Sequence, residues 1–436
     1  MGSDTVELPP VPLWSTVRVA LLSIGLNGVL AGRSADAAWV ERVFVNGWGG
    51  AVSTALGRAS AHVPGSLAEL LTAALAAWLL WIGLAAASDV ASGRRPWHHA
   101  ALCGVLTVVR VTAALWMVFY VVWGTAYARP PAFERHGWPT PDPRLPEARM
   151  QLVVEAAHAV MLANQYRALA APGLDAVPLV IPETFDVDAA IDRGFADVAA
   201  RMALPDAFAR SRGPAKVPRA SVLLSWLGIG GIYVPFTGEA TVNGMPPAFS
   251  RILTTAHEKA HQRMVAREDE ANFYGFLAAV HADEPMLRYA AWEFAARQLL
   301  RALDPVEPEL ARAIRGLRSP GVRADLDANA AFWVVYEGWM ERLSEWINDW
   351  YLKSNRVPGG VLAYGRAGGL IVAWLDTPAG RELSGLPSAV TRVLVPPPEA
   401  ARPLRSTGGG APGAEGGGGE GPPAEGGPAS PSAGAQ

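Results

Sequence analysis

His257-Glu258-Lys259-Ala260-His261 is the part of this chain whose residue types and spacing most directly imply chemistry. Four apart on a helix, His257 and His261 share a face and present two imidazole nitrogens to one metal ion. Zinc accepts such nitrogens in tetrahedral geometry, and a catalytic zinc keeps one position for water. Glu258, next to the first histidine, is placed to take a proton from that water. The expectation is a Zn2+ site with His257 and His261 as ligands and Glu258 as catalytic base. One cysteine in the chain leaves no CxxC pair, which turns attention to histidine and carboxylate.

A third ligand is required, and Arg267-Glu268-Asp269-Glu270-Ala271-Asn272 offers Glu268 and Glu270. On one straight helix Glu268 would lie ~10 Å along the axis from His261, too far to share an ion. The chain must therefore break between Gln262 and Arg267, a stretch without Gly or Pro. The plainer reading of Glu268 and Glu270 is an acidic first turn, which suits the positive end of a helix.

The elements that must hold these residues follow from periodicity. Residues 249–267 and 268–281 read as consecutive helices, with Pro246-Pro247 ahead of them and Ser250 as N-cap. Residues 231–243, rich in β-formers with Gly and Pro, read as an edge strand able to take an extended peptide by strand addition. Residues 147–169, 186–202, 289–302 and 328–350 read as further helices. The fold class expected is mainly α, with membrane helices followed by an α-rich domain carrying a small β element.

Only 18% of the 436 residues are charged while 50% are hydrophobic, against a usual charged share of about 25%. Residues 70–87 and 111–127 are uncharged runs near the length a bilayer demands. A weaker third run, with a small-residue stretch at Ala35-Asp36-Ala37, reads as a retained first span rather than a cleaved leader. Spans are expected at about 16–33, 67–87 and 104–127, within a membrane region 1–128. The compact basic connector Gly93-Arg94-Arg95-Pro96-Trp97-His98-His99 belongs in the cytoplasm by the positive-inside rule, so the chain beyond residue 128 emerges on the other side. Residues 129–146 read as a Pro-rich connector, 147–395 as the HExxH domain, and 396–436 as a disordered tail dominated by Gly and Pro. A net charge of −3 offers no footprint for nucleic acid. The partners expected are the lipid bilayer and a peptide or protein substrate.

The ExxAN grouping after HExxH resembles the gluzincin-type metallopeptidases, including membrane prenyl-protease-like enzymes with a later ExxAD. That resemblance implies Glu268 as third ligand and Asn272 as a supporting residue. More of the chain is similar to a group of bacterial inner-membrane proteins, a domain of unknown function with an HExxH domain after three spans. The matching residues are Asn46-Gly47, Phe119 through Gly124, Gly231 through Ala240, His257 through Gln262, Glu268 through Phe273, Asn348 through Lys353, and Tyr364-Gly365-Arg366. It implies Tyr364 and Arg366 as site residues; Tyr233 is a further candidate donor to developing charge, while Glu239 and Asn243 either line the cleft or cap a turn. Relatives usually have Gly three positions after the second histidine, where this chain has Met264. A left-handed residue there costs a non-glycine ~1–2 kcal/mol. The function expected is a membrane-anchored zinc metallopeptidase acting outside the cytoplasm. Its alternative is a non-catalytic membrane protein whose helical domain binds partners, any metal being structural.

Overall fold

The computed structural model describes residues 11–354 and 367–385, and the protein is mainly α with one two-stranded sheet among them. Long apolar runs make the first elements. Helix α1 is Leu13–Arg33, α4 is Leu67–Ala91 and α5 is Trp97–Val122, at 21, 25 and 26 residues. At 1.5 Å per residue they measure about 31–39 Å, enough for a hydrocarbon layer of about 30 Å. Three helices among the described residues are thus long and apolar enough to cross a membrane, and few of their side chains are buried.

Between α1 and α4 the chain turns onto the rest of the protein. Asp36 caps the short α2 (Ala37–Trp39) by accepting from the N–H groups of Ala38 and Trp39. A π-helical stretch, Val40–Trp48, leads into α3 (Gly49–Ala61). Helix α3 comes so near the loop before the sheet that a Cβ on Gly57 would lie 2.1 Å from the Arg212 carbonyl oxygen. Ser66 caps α4 by accepting from Glu69 N–H, half of a capping box. The Glu69 carboxylate instead accepts from the N–H groups of Arg219 and Ala220.

The Pro-rich stretch 129–146 has structure of its own. It carries α6 (Ala132–His136), whose Ala132 is buried and whose side chains reach the site helices. Next come α7 (Pro146–Ala170), α8 (Val187–Arg201), the short α9 (Asp206–Ala209) and α10 (Ser221–Trp226). The expected edge strand is an antiparallel hairpin, β1 (Gly231–Val234) with β2 (Glu239–Val242), in register Tyr233 opposite Ala240. Lys216 bridges the far side of β2, so the outer edge of β1 carries no strand among the described residues.

Helices α11 (Ala248–Gln262) and α12 (Glu268–His281) pack face to face. Ser250 does not cap α11: its hydroxyl donates to the Pro247 carbonyl from inside the first turn. Most side chains of α13 (Pro285–Leu303) are buried, because it lies against both α7 and α12 at the centre of the core. Helices α14 (Pro308–Gly316), α15 (Pro320–Val334), α16 (Trp339–Ser354), α17 (Ala367–Leu375) and α18 (Pro378–Ser384) complete it. Residues 328–350, read as one helix, are two: the run breaks over Val335-Tyr336-Glu337-Gly338.

Candidate metal centre

Helix α11 ends one residue after His261, and the ending is what makes a site. Val265 N–H donates to the Ala260 carbonyl and Met264 N–H to that of His261, the paired bonds of a Schellman motif. Met264 takes the left-handed position of that motif, with φ 64°. The usual occupant is glycine, and strain there costs ~1–2 kcal/mol. Met264 is fully buried beside Phe44 and Trp123 in a small core at the end of the long apolar helix α5. Burying a methionine side chain returns about 1.5–3 kcal/mol, which offsets the strain. The Gln262 carbonyl, left without a helical partner, accepts from Ser53 Oγ at 3.0 Å and Arg212 Nη1 at 2.6 Å. Helix α3 thus helps terminate α11.

The reversal carries Glu268 back to the histidines. Nε2 of His257 and Nε2 of His261 are 3.0 Å apart, and Glu268 Oε2 is 3.0 Å from the first and 3.4 Å from the second. Edges of a tetrahedron around an ion with bonds of about 2.0–2.1 Å measure about 3.3 Å. The opposite ring nitrogens are engaged elsewhere. Asn272 Oδ1 accepts from His257 Nδ1 at 2.8 Å, and the Val265 carbonyl accepts from His261 Nδ1 at 2.6 Å. These bonds turn both Nε2 atoms toward Glu268, so two nitrogens and a carboxylate oxygen converge on a point that one cation, a metal ion or a proton, can share. Glu268 Oε2 is buried without a hydrogen-bond partner. A cation fits this arrangement and a neutral group does not.

The electrostatics agree. Burial opposes the His261 imidazolium, but the Glu268 carboxylate outweighs it and lifts the His261 pKa to about 9. Burial also works against the Glu268 carboxylate, and the two histidines prevail, holding it well below the usual range. Glu258 is raised, chiefly by burial. The backbone of Tyr233 on β1 lies close enough to temper that rise, and a Cβ on Gly231 would come within 2.7 Å of the Glu258 Oε1. Only glycine lets the strand lie this close. The His261 ring is held by Trp123, edge-on at 6.0 Å, and by Tyr233, stacked at 6.4 Å. Trp123 directly follows α5, so the cluster sits at the end of a candidate span.

Other expected residues go elsewhere. Glu270 faces away from the histidines; it accepts from Ala132 N–H and pairs with Arg135 on α6. Tyr233 Oη is bonded to Ser53 Oγ, 3.0 Å away, rather than free beside the cluster. Glu239 accepts from the N–H groups of Leu67 and Ala68 at the start of α4 and pairs with Lys216 at 2.7 Å. Asn243 bonds to Ser225 and Ile229. Tyr364 and Arg366, and the tail from residue 396, lie outside the described residues. Sequence reasoning missed Ser53, Arg212 and Trp123. Trp123 alone had a signal, as part of the motif that closes the third apolar run. Lys259, within the motif, is buried and paired with Asp188 and Asp192, clamping α11 onto α8.

No curated protein and no solved structure matches the chain. A family model described as a protein of unknown function, DUF3810, matches residues 44–372. The match starts inside the π-helical stretch that packs beneath Met264 and takes in His257, His261 and Glu268. This chain belongs to that family of unknown function, DUF3810.

Proposed function

We propose that this protein is a membrane-anchored zinc metallopeptidase that hydrolyses peptide bonds on the extracytoplasmic side of a bacterial cytoplasmic membrane. The observation that carries the reading is the meeting of His257 Nε2, His261 Nε2 and Glu268 Oε2 within 4.8 Å, both rings held from behind through Nδ1. Zinc bound by these three groups would acidify a water and polarise a carbonyl. Glu258, raised by burial and beside the first ligand, takes the proton of the attacking water and returns it to the leaving amine. The free edge of β1 supplies backbone donors and acceptors along which an extended peptide can lie, next to Glu258.

Support for the orientation comes from the spans. The starts of α4 and the ends of α1 and α5 lie at the domain end, while the basic connector between α4 and α5 lies at the other. The positive-inside rule then leaves the His257 cluster outside the cytoplasm.

Metal analysis of the purified full chain, with proteolysis measured over a broad peptide set, tests the reading. One zinc per chain is expected in wild type and in Glu258→Gln, with hydrolysis ~10²–10⁴-fold slower in the variant. Equal hydrolysis by the two would remove Glu258 as base. Zinc without hydrolysis in either would leave the metal a structural role.

A further inference from the structure

Helix α16 turns an apolar face outward. Trp339, Leu343, Trp346, Ile347 and Trp350 recur at spacings that place them on one side of a helix. Such a stripe normally faces a core, yet these five side chains are between 47% and 67% exposed. Glu341, Arg342, Glu345 and Asp349 lie off that side, and Lys353, three residues after Trp350, stands at its edge. Three tryptophans on the apolar side are the composition of a helix lying flat in a membrane interface, where indole rings are favoured.

Its attachment puts α16 at membrane level. Glu69, in the first turn of α4, accepts from Arg219 N–H at 3.0 Å and Ala220 N–H at 2.7 Å, which sets the start of α10 beside the mouth of a span. Helix α10 is only six residues, ~9 Å long. Trp226 at its end packs edge-on against Tyr336 at 5.2 Å, and Gly228 lies against Glu341 of α16. Trp226 and Trp339 line one shallow recess, and Val222, Leu223 and Trp226 are themselves exposed on α10. Apolar surface therefore runs from the flank of the spans to α16. The same end of α4 is bonded to Glu239 of the hairpin, which puts α16 and the His257 cluster on one side of the membrane.

We propose that the Trp339–Trp350 face of α16 lies in the bilayer interface, its partner being lipid. The mixed signs of Glu341, Arg342, Glu345, Asp349 and Lys353, the last two paired with each other, make this an apolar attachment, indifferent to headgroup charge. It does not depend on what the metal cluster does.

The test uses the full chain in phosphatidylcholine vesicles at low protein-to-lipid ratio. In a Cys103→Ser background, Trp346→Cys, Trp350→Cys and Glu345→Cys each receive one nitroxide label. Collision rates are then measured with oxygen, which concentrates in lipid, and with a water-soluble nickel chelate. Positions 346 and 350 are expected to shift toward oxygen relative to 345, and to stay there when anionic lipid is added. Equal access of nickel to 345, 346 and 350 would place the face in water and overturn the proposal. Loss of both collision rates at 346 and 350 would mean protein covers the face, a second copy or another part of this chain, and would overturn it equally. Two labelled positions keep the test intact if one variant does not fold.

Discussion

Asn272 Oδ1 stands 2.8 Å from Nδ1 of His257, joining α12 to α11 across the reversal at Met264. A neutral amide thus fixes the ring orientation of one proposed ligand, while a backbone carbonyl, that of Val265, fixes the other. Partners of this kind commonly contribute 10–100-fold to metal affinity. Asn272→Ala is expected to weaken zinc binding by about that factor, read by competition with a chelator, with little change in unfolding temperature of the metal-free protein. Unchanged zinc affinity would show that packing alone orients the His257 ring.

The left-handed Met264 separates two costs that usually travel together. Met264→Ala keeps the strain and empties a buried site, and is expected to destabilise by about 2–5 kcal/mol. Met264→Gly empties the same site but relieves the strain, so it should be the milder variant by ~1 kcal/mol. Denaturant unfolding of both in detergent decides it. If the glycine variant is the weaker, φ at this position stores no strain.

Glu239 holds three elements at once: β2, the N-terminus of α4 and Lys216, whose Nζ also donates to the Ser60 and Val63 carbonyls. Burial disfavours its charge, but Lys216 and the α4 N–H groups keep its pKa below the usual value. Glu239→Ala leaves a buried ammonium and open helix N–H groups, with an expected loss of about 3–5 kcal/mol. A melting temperature like that of wild type would mean that the hairpin does not depend on α4.

Acid sensitivity follows from His136. Burial first, then Arg135 and Arg129, push its pKa from 6.5 down to about 4. Between those values the unfolded chain binds more protons than the folded one, so stability rises with pH, is fully present above about 6.5, and is lost as pH falls toward 4. His281, depressed to about 4 by burial, Arg201 and Arg288, adds to the same window. His136→Gln retains a partner for Tyr274 Oη, now 2.8 Å from His136 Nε2. Melting curves from pH 7 to pH 4 should fall less steeply in this variant. Parallel curves would remove His136 as a contributor.

Much of the site was legible because it is local. The spacing of His257 and His261 places them on one face of any helix, and the three apolar runs announce their lengths without reference to anything else. Even the need for a break before Arg267 follows from the rise of a helix. What supports that break lies far away in the chain: Ser53 and Arg212 on the Gln262 carbonyl, and the pocket beside Phe44 and Trp123 that accepts Met264. The same holds for Glu268 against Glu270, two acids in one helical turn. Arg135 and Ala132 draw Glu270 aside, and their place beside it is set by how α6 folds back over more than a hundred residues. Helix periodicity is a property of neighbours and can be read from them. Which carboxylate meets the histidines, and which apolar face of α16 is left uncovered, depend on contacts between distant segments, and only the folded chain decides those.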